Sequence, residues 1–477
     1  MNNILKRFSN KLFLLFLVNF ILIVFQLVYL SARFEYINTE VPFWCTQVWG
    51  LVQLANKGYL YILPTISFFI LLAGCLFCIL LRKYYIKYGL DIIIGVVTTT
   101  NLLLSYSLLE IIFNASKPFP YIIKPLYLTM LAPGVISYLV SFYIIPRFIK
   151  FAQEKNIVTN PNIHSHPGMV LQKPSARGGG FLFGILFVLF GIIFLGFTPW
   201  LIPFFLAVVL LALLGIIDDY QNTRPASTFK IIENPLLRLL LMIVVVSIIY
   251  VSGINIGSFT IPFGVGVLKI NLEVVSWALT TIWIVWVLNV MSWSNGIDGQ
   301  YAGIVGIGSI VICLLALRFD PLEAQHKTVA ILAAISAGLS FSFTKYTWHP
   351  SKIMWGFGAT SAGLVLSVLS ILVSSKIITS VLIIMIPFLD AVITVIRRLV
   401  QGKNPLKGDR GHLHHLLLNR GWSIRKIASF YWVTTAMFGM LGFLTADKLT
   451  IQVGLILVGI VAFLIILTNV RLNKATQ

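Results

Sequence analysis

Apolar runs of about 17–25 residues, each long enough to carry an α-helix across a bilayer, recur from one end of this chain to the other. Hydrophobic residues make up 58% of the 477 positions and charged residues only 10%, where a soluble domain would carry roughly 25% charged. Short alternating segments, the mark of a membrane β-barrel, are not the pattern. The chain is expected to be an all-α polytopic membrane protein with about fourteen spans. They fall near 12–32, 59–81, 90–113, 122–149, 179–197, 200–217, 234–252, 273–290, 302–318, 327–345, 356–374, 378–399, 427–445 and 449–470.

The net charge of +20 comes from 35 Lys and Arg against 15 Asp and Glu. Most of the cations flank alternate span ends, which the positive-inside rule puts in the cytoplasm. Both termini and the motif-rich loops are therefore expected to be cytoplasmic, in a multi-pass protein of the plasma membrane. Basic loops interleaved with aromatics, as nucleic-acid binders carry, are lacking, so nucleic acid is excluded as a partner. The basic bias suits anionic headgroups instead.

Residues 1–115 hold three spans and little chemistry, and read as an extension to a larger membrane domain over 116–477. The first apolar run follows Lys6, Arg7 and Lys11 without a convincing cleavage site, so it is expected to be retained. Trp44 and Trp49 suit an interfacial aromatic belt. The segment 252–272 alternates and holds Gly and Pro, as an outer β-hairpin would. Cys75 and Cys78 have CxxC spacing but lie inside an apolar run without histidines, which favours packing over a redox or metal pair.

The chemistry gathers at the cytoplasmic span ends. Asp218-Asp219 follows the span 200–217, in GIIDDYQNTRP. Adjacent carboxylates at a helix C-terminus add to an already negative dipole end, so they need a cation, either a metal, a basic side chain or both. Asp298 stands in SWSNGIDGQ, where Ser292, Asn295 and Asp298 recur every three residues. One helical turn would point all three the same way, although an Asn-Gly turn explains them equally well. Lys173-Pro-Ser-Ala-Arg177-Gly178-Gly179-Gly180 opens the span 179–197. Bare backbone N–H groups there would hold an anion, or the glycines would simply allow close helix packing. Asp390 precedes Arg397 by up to two turns and suggests an ion pair within its own helix.

The last constellation is a basic loop ending Asp409-Arg410-Gly411-His412-Leu413-His414-His415. Seven histidines occur in the chain, and three fall within four residues here. Imidazoles can donate to phosphate oxygens, move protons or ligate metal. A solvated basic loop would account for the cations but not for His412, His414 and His415. Acids for a metal, basic groups for phosphates and histidines for oxyanions thus share one membrane face. That combination suits phosphoryl transfer, where catalysis is largely positioning and charge neutralisation. Its place at the lipid boundary points to a lipid phosphate as one reactant.

In these motifs the chain resembles the polyprenyl-phosphate N-acetylhexosamine-1-phosphate transferases, glycosyltransferase family 4. The matching runs are Lys173-Pro-Ser-Ala-Arg-Gly-Gly, Gly-Ile-Ile-Asp218-Asp219, Asn295-Gly-Ile-Asp298-Gly, Pro387-Phe-Leu-Asp390 with Arg397-Arg398, and Asp409-Arg410-Gly-His412-Leu-His414-His415. They span about residues 120–445. The resemblance implies magnesium-dependent transfer of a sugar-1-phosphate, with manganese as the alternative ion, from a UDP-N-acetylhexosamine to a polyprenyl phosphate. UMP is released, in cell-envelope glycan synthesis. The histidine pattern is similar to the branch that uses UDP-N-acetylglucosamine. By carry-over, Asp218, Asp219 and Asp298 would be catalytic and hold the metal. Lys173, Arg177, Gly178, Gly179, Asn295, Arg410, His412, His414 and His415 would bind substrate. A homodimer is left open.

One position departs from the pattern. Where the family has a magnesium-binding Asp after a Pro-x-Lys turn, this chain reads Pro350-Ser-Lys352-Ile-Met-Trp355-Gly356-Phe357-Gly358. No Asp or Glu occurs between Glu323 and Asp390, so no shift of register supplies one. A phenyl ring cannot ligate magnesium, and Ser292 and Asn295 stand where the family usually has Asn and Asp. The alternative reading is therefore a relative that binds polyprenyl phosphate, UDP-sugar or a partner without turnover. A transporter is a third reading, disfavoured because transporters hold polar groups near mid-membrane.

Overall fold

A computed structural model describes residues 2–44, 53–80, 89–115, 131–161, 173–224, 234–260, 267–319, 322–373, 377–404, 410–445 and 450–473. Asp409, Cys45 and Trp49 lie outside these residues, as do the first residues of the expected span 122–149. The chain divides into two compact units, 1–121 with 444–453 and 122–443 with 454–477.

The first unit is a three-helix bundle of α1 (Asn2–Arg33), α2 (Ile62–Leu80) and α3 (Gly89–Ala115). A two-stranded antiparallel ribbon, β1 (Glu40–Pro42) and β2 (Leu54–Asn56), joins the first two. Leu30, Ile37, Val41, Leu60, Leu108 and Ile112 form its apolar cluster. Its helices are also tied by buried amides. Gln26 donates to Ser67 at 3.0 Å and Ser105 at 2.8 Å, and Asn101 donates to Asn19 at 2.8 Å. Apolar side chains gain little from each other when lipid surrounds them, so such bonds select which helix faces meet. Cys75 and Cys78 both lie in α2, Cys78 buried and Cys75 half-buried.

The second unit holds α4 (Ala132–Glu154), α5 (Gly179–Leu195), α6 (Ile202–Asn222), α7 (Pro235–Val251), α8 (Glu273–Trp293), α9 (Gln300–Leu317) and α10 (Ala324–Thr347). α11 (Ala359–Leu372), α12 (Ile377–Ile383), α13 (Met385–Val400), α14 (Leu413–Asn419), α15 (Ile424–Leu444) and most of α16 (Thr450–Asn473) follow. Every residue of α11 is buried. It packs on α5, α6, α8, α9 and α10 as the central helix, and its apolar character all round suits that place. Large apolar side chains elsewhere point outward, among them Val135, Leu139, Leu236, Leu240 and Val244 on α4 and α7. Such surfaces are what lipid covers.

Each expected span overlaps a helix, with one correction. The stretch 378–399 is broken at Ile384 into α12 and α13. Pro387 explains the break, because it has no N–H to return to the carbonyl of Ile383. Nine helices among the described residues are long and apolar enough to cross a membrane, while α5, α7 and α11 are shorter. The segment 252–272 does contain an antiparallel pair, β5 (Ser258–Thr260) and β6 (Val267–Lys269), with Ser258 opposite Lys269. A pair not anticipated, β3 (Val158–Thr159) and β4 (Ser175–Ala176), lies just before α5.

Candidate functional site: a carboxylate pair between two arginines

α6 runs on through GIIDDYQN to Asn222, so the two carboxylates stand at the C-terminal end of the helix, as expected. Asp218 and Asp219 therefore lie within its last turn. Neighbours on a helix diverge by about 100°, and the two carboxylates meet different partners. Both are buried, at 4% and 0% exposure. Asp218 pairs with Arg238 in the first turn of α7 and accepts from Asn222 at 2.7 Å. Asp219 pairs with Arg177 at 3.1 Å. It also accepts from the N–H groups of Gly178 at 3.1 Å and Phe357 at 3.3 Å. A buried carboxylate left unpaired would cost several kcal/mol, and each acid here has its own guanidinium.

The loop that carries Phe357 is wedged against this pair. Gly356 adopts φ +63°, and a Cβ there would stand 1.9 Å from Asp219 Oδ2. A Cβ on Gly180 would come within 2.0 Å of the Gly358 carbonyl carbon, and one on Gly215 within 2.3 Å of the Gly358 Cα. Three glycines on three elements thus let the loop sit between α5 and α6. Residue 357 is thereby held beside the acids, with Arg238 lying 4.8 Å from the centre of its ring.

The same packing settles the role of the glycine run at the start of α5. Gly178 donates to Asp219, Gly179 to Met354 O at 3.0 Å and Gly180 to Trp355 O at 3.0 Å. These donors are spent inside the protein, so Gly178 and Gly179 seat a carboxylate and a loop instead of forming an open anion cradle. Lys173 is exposed just ahead of them.

Ser292, Asn295 and Asp298 do not share a helical turn, because α8 ends at Trp293 and turns follow. Asn295 donates to Gly356 O at 3.3 Å. Asp298 accepts from His349 Nδ1 at 2.7 Å and from the Ser351 N–H at 3.2 Å. His349, just upstream of the departing motif, went unnoticed in the sequence. Its signal was that it is one of few histidines and lies at a polar helix end.

The histidines are not a solvated loop. His412, His414 and His415 are buried around the start of α14. Asp390 accepts from His412 Nδ1 at 2.9 Å and from the Leu413 N–H at 2.8 Å. It does not form the expected pair with Arg397, which donates to Gly411 O at 2.8 Å instead. The rings of His412 and His414 are parallel, 5.6 Å apart, and His415 lies 4.3 Å from His414. His414 also packs on Gly296, where a Cβ would meet its Nε2 at 2.4 Å. Burial, and then the neighbouring imidazoles His415 and His412, hold the His414 pKa well below 6.5, so this ring is neutral at pH 7. Arg410 is exposed at the edge of the group.

A divalent ion of the magnesium class needs about six oxygen ligands, several of them from carboxylates or water. Asp218 and Asp219 turn their oxygens to guanidinium and amide donors, Asp298 turns to His349, and Phe357 supplies no donor. No group of three or more His, Cys, Asp or Glu among the described residues is arranged to hold a metal. The expectation that Asp218, Asp219 and Asp298 form one metal centre is therefore not met by this arrangement, and the donor set does not fit the ion.

Comparison with known proteins adds a second line of evidence. Residues 201–374, from α6 through α11, match the profile described as Glycosyl transferase family 4. The chain is 32% identical over 264 residues to a phospho-N-acetylmuramoyl-pentapeptide-transferase of Streptococcus uberis, covering 52% of this chain and 73% of that protein. The chain belongs to glycosyl transferase family 4. Another member similar to it is a probable undecaprenyl-phosphate N-acetylglucosaminyl 1-phosphate transferase of Bacillus subtilis, 29% identical over 45% of this chain and 58% of the relative. A decaprenyl-phosphate N-acetylglucosaminephosphotransferase of Mycolicibacterium smegmatis is 28% identical over 48% and 60%. The chain thus spans less than two thirds of the length of these two family members. The matched stretch 201–374 includes Asp218, Asp219, Arg238, Asp298 and Phe357.

Proposed function

We propose that this chain transfers an N-acetylhexosamine-1-phosphate, N-acetylglucosamine-1-phosphate in the first instance, from a UDP-sugar to a polyprenyl phosphate in cell-envelope glycan synthesis. A lipid phosphate oxygen attacks the sugar-bearing phosphorus of the UDP-sugar. The bond from that phosphorus to the bridging oxygen breaks, and UMP leaves with the oxygen. The observation that carries the reading is the placing of Asp219. It is a fully buried carboxylate at the end of an apolar helix, held by Arg177 and two backbone N–H groups inside the family's matched segment.

The roles follow from chemistry. Arg177 and Arg238 set positive charge where anionic phosphates gather, and Lys173 and Arg410 add to it from the exposed rim. Charge-assisted contacts of this kind are the strong ones for phosphate. His412, held through Nδ1 by Asp390, has Nε2 left to face an oxyanion. His414 and His415 pack around it and set its position. Asn295 and Asp298 fix the turn and the 349–356 loop on which Phe357 rides. Magnesium, with manganese as the alternative, is the ion that the resemblance attaches to this reaction. It would supply charge neutralisation, but its donor set does not fit here, and no step above passes through it. Cytoplasmic loops and termini, and a division into a 1–115 extension and a 116–477 transferase domain, complete the proposal.

Phe357 favours a second reading, in which ligands bind without turnover. The two are separated by incubating the full chain with a sugar-labelled UDP-N-acetylglucosamine and polyprenyl phosphate. Label in a lipid-extractable product that disappears in Asp219→Asn supports transfer. Nucleotide binding with no lipid-borne label supports the second reading.

A further inference from the structure

Asp218 and Asp219 put two adjacent negative charges at the negative end of a helix dipole, inside a protein. Something must balance them. The resemblance assigns that task to a divalent ion whose ligands include the residue at 357. Here 357 is a phenyl ring, and the balance is already present. Arg177 pairs with Asp219 and Arg238 with Asp218, so two formal positive charges face two negative ones.

The Phe357–Arg238 contact makes this a built arrangement and not a chance pairing. The Arg238 guanidinium lies 4.8 Å from the centre of the Phe357 ring, within the range where a cation is attracted to an aromatic face. Guanidinium is weakly hydrated, planar and suited to stacking, so it accepts an aromatic face that a divalent ion would not. Phe357 cannot move aside easily. Its N–H is bonded to Asp219, its carbonyl accepts from the Thr360 hydroxyl at 2.9 Å, and the loop around it is clamped at Gly356 and Gly358. Asn222 fixes the other oxygen of Asp218. The Arg238 side chain is 29% exposed, so the cation borders the surface from which a ligand would arrive.

We propose that Arg238, seated on Phe357 and paired with Asp218, is a built-in cation that takes the place of the divalent metal, so that ligand phosphates are met by arginine and the site does not bind the metal. Which phosphates arrive rests on the transferase reading; the exclusion of the metal rests on the side chains alone. An arginine stays charged at every accessible pH and cannot be removed by a chelator.

The test titrates Mn2+ into the purified full chain and reads free Mn2+ by electron paramagnetic resonance, beside the double variant Phe357→Asp with Arg238→Gln. The wild-type chain is expected to show no saturable site. The double variant, with a third carboxylate and with Arg177 as the one guanidinium left on the pair, is expected to gain one saturable Mn2+ per chain. One stoichiometric Mn2+ on the wild type would overturn the proposal, and that measurement stands even if the variant fails to fold. A folded double variant that gains no site would overturn it too, since these two side chains would then not be what excludes the ion. Release of UMP, assayed on the same samples, speaks to the transferase reading separately: its absence from all of them would sink that reading and leave the Mn2+ result intact.

Discussion

Asp390 and His412 are 22 residues apart in sequence, yet the imidazole Nδ1 stands 2.9 Å from the carboxylate, and the same carboxylate accepts the Leu413 N–H. One acid on α13 therefore sets both the tautomer of His412 and the start of α14. With Nδ1 donating to a carboxylate, Nε2 is left as the ring's other polar atom, and it can hold an oxyanion only as a protonated donor.

Asp390→Ala should release His412 and the start of α14 together. Leaving such buried groups unsatisfied costs about 1–3 kcal/mol, so transfer is expected to fall by about tenfold to a hundredfold while the helices persist. Asp390→Asn keeps an acceptor and should fall less. Initial rates on samples matched for circular dichroism check this; equal loss in both variants would show that charge, not position, is what Asp390 contributes.

Gly296→Ala tests the seat of His414. A Cβ there would come within 2.4 Å of the imidazole Nε2, so the ring must tilt away and disturb its stack with His412. Activity should drop about tenfold or more with little change in thermal stability, because the added methyl displaces a side chain, not backbone. Unchanged rates would remove His414 from the working part of the site.

Gly356→Ala should behave differently. Its φ of +63° strains any L side chain, and its Cβ would strike Asp219 itself. Backbone strain alone costs about 1–3 kcal/mol, and the clash adds to it. Loss of both stability and activity is expected in a melting assay, with Gly402→Ala, also at positive φ but with nothing within 4 Å, showing strain without the activity loss.

The buried His414 gives a pH dependence whose sign follows from its depressed pKa. In the unfolded chain the ring takes up a proton near pH 6.5, whereas in the folded chain burial and its histidine neighbours prevent this until lower pH. The unfolded state then binds more protons, so the contribution to stability is full above pH 6.5 and is lost as pH falls from there toward the folded value. The slope approaches about 1.4 kcal/mol per pH unit for one group. Melting temperature should decline between pH 7.5 and 5.5, and His414→Gln should flatten that decline. An identical slope in the variant would assign it to other groups.

Much of this was legible in the sequence. Apolar runs announced the helices, and scarce acids and clustered histidines marked Asp218, Asp219, Asp298 and His412–His415. What sequence could not show was the partner of each group. Asp390 looks bound to Arg397 because they share a helix, but an acid one helix away from the histidine turn has better hydrogen-bond donors to meet. Gly178–Gly180 read equally as an anion cradle or as a close-packing run, because nothing in the local sequence reveals that Asp219, Met354 and Trp355 come to take their N–H groups. Arg238 carried no motif; only the fold brings it from α7 onto Phe357. The buried amides Asn19, Gln26 and Asn101 were equally silent, since a lone amide in an apolar run does not name the helix it will bond.

The most direct test is release of UMP by the purified full chain given UDP-N-acetylglucosamine and polyprenyl phosphate, measured beside Asp219→Asn. The result expected is UMP formed one for one with the lipid-linked sugar phosphate, and abolished in the variant. A folded wild-type sample that releases no more UMP than Asp219→Asn would contradict the transferase reading.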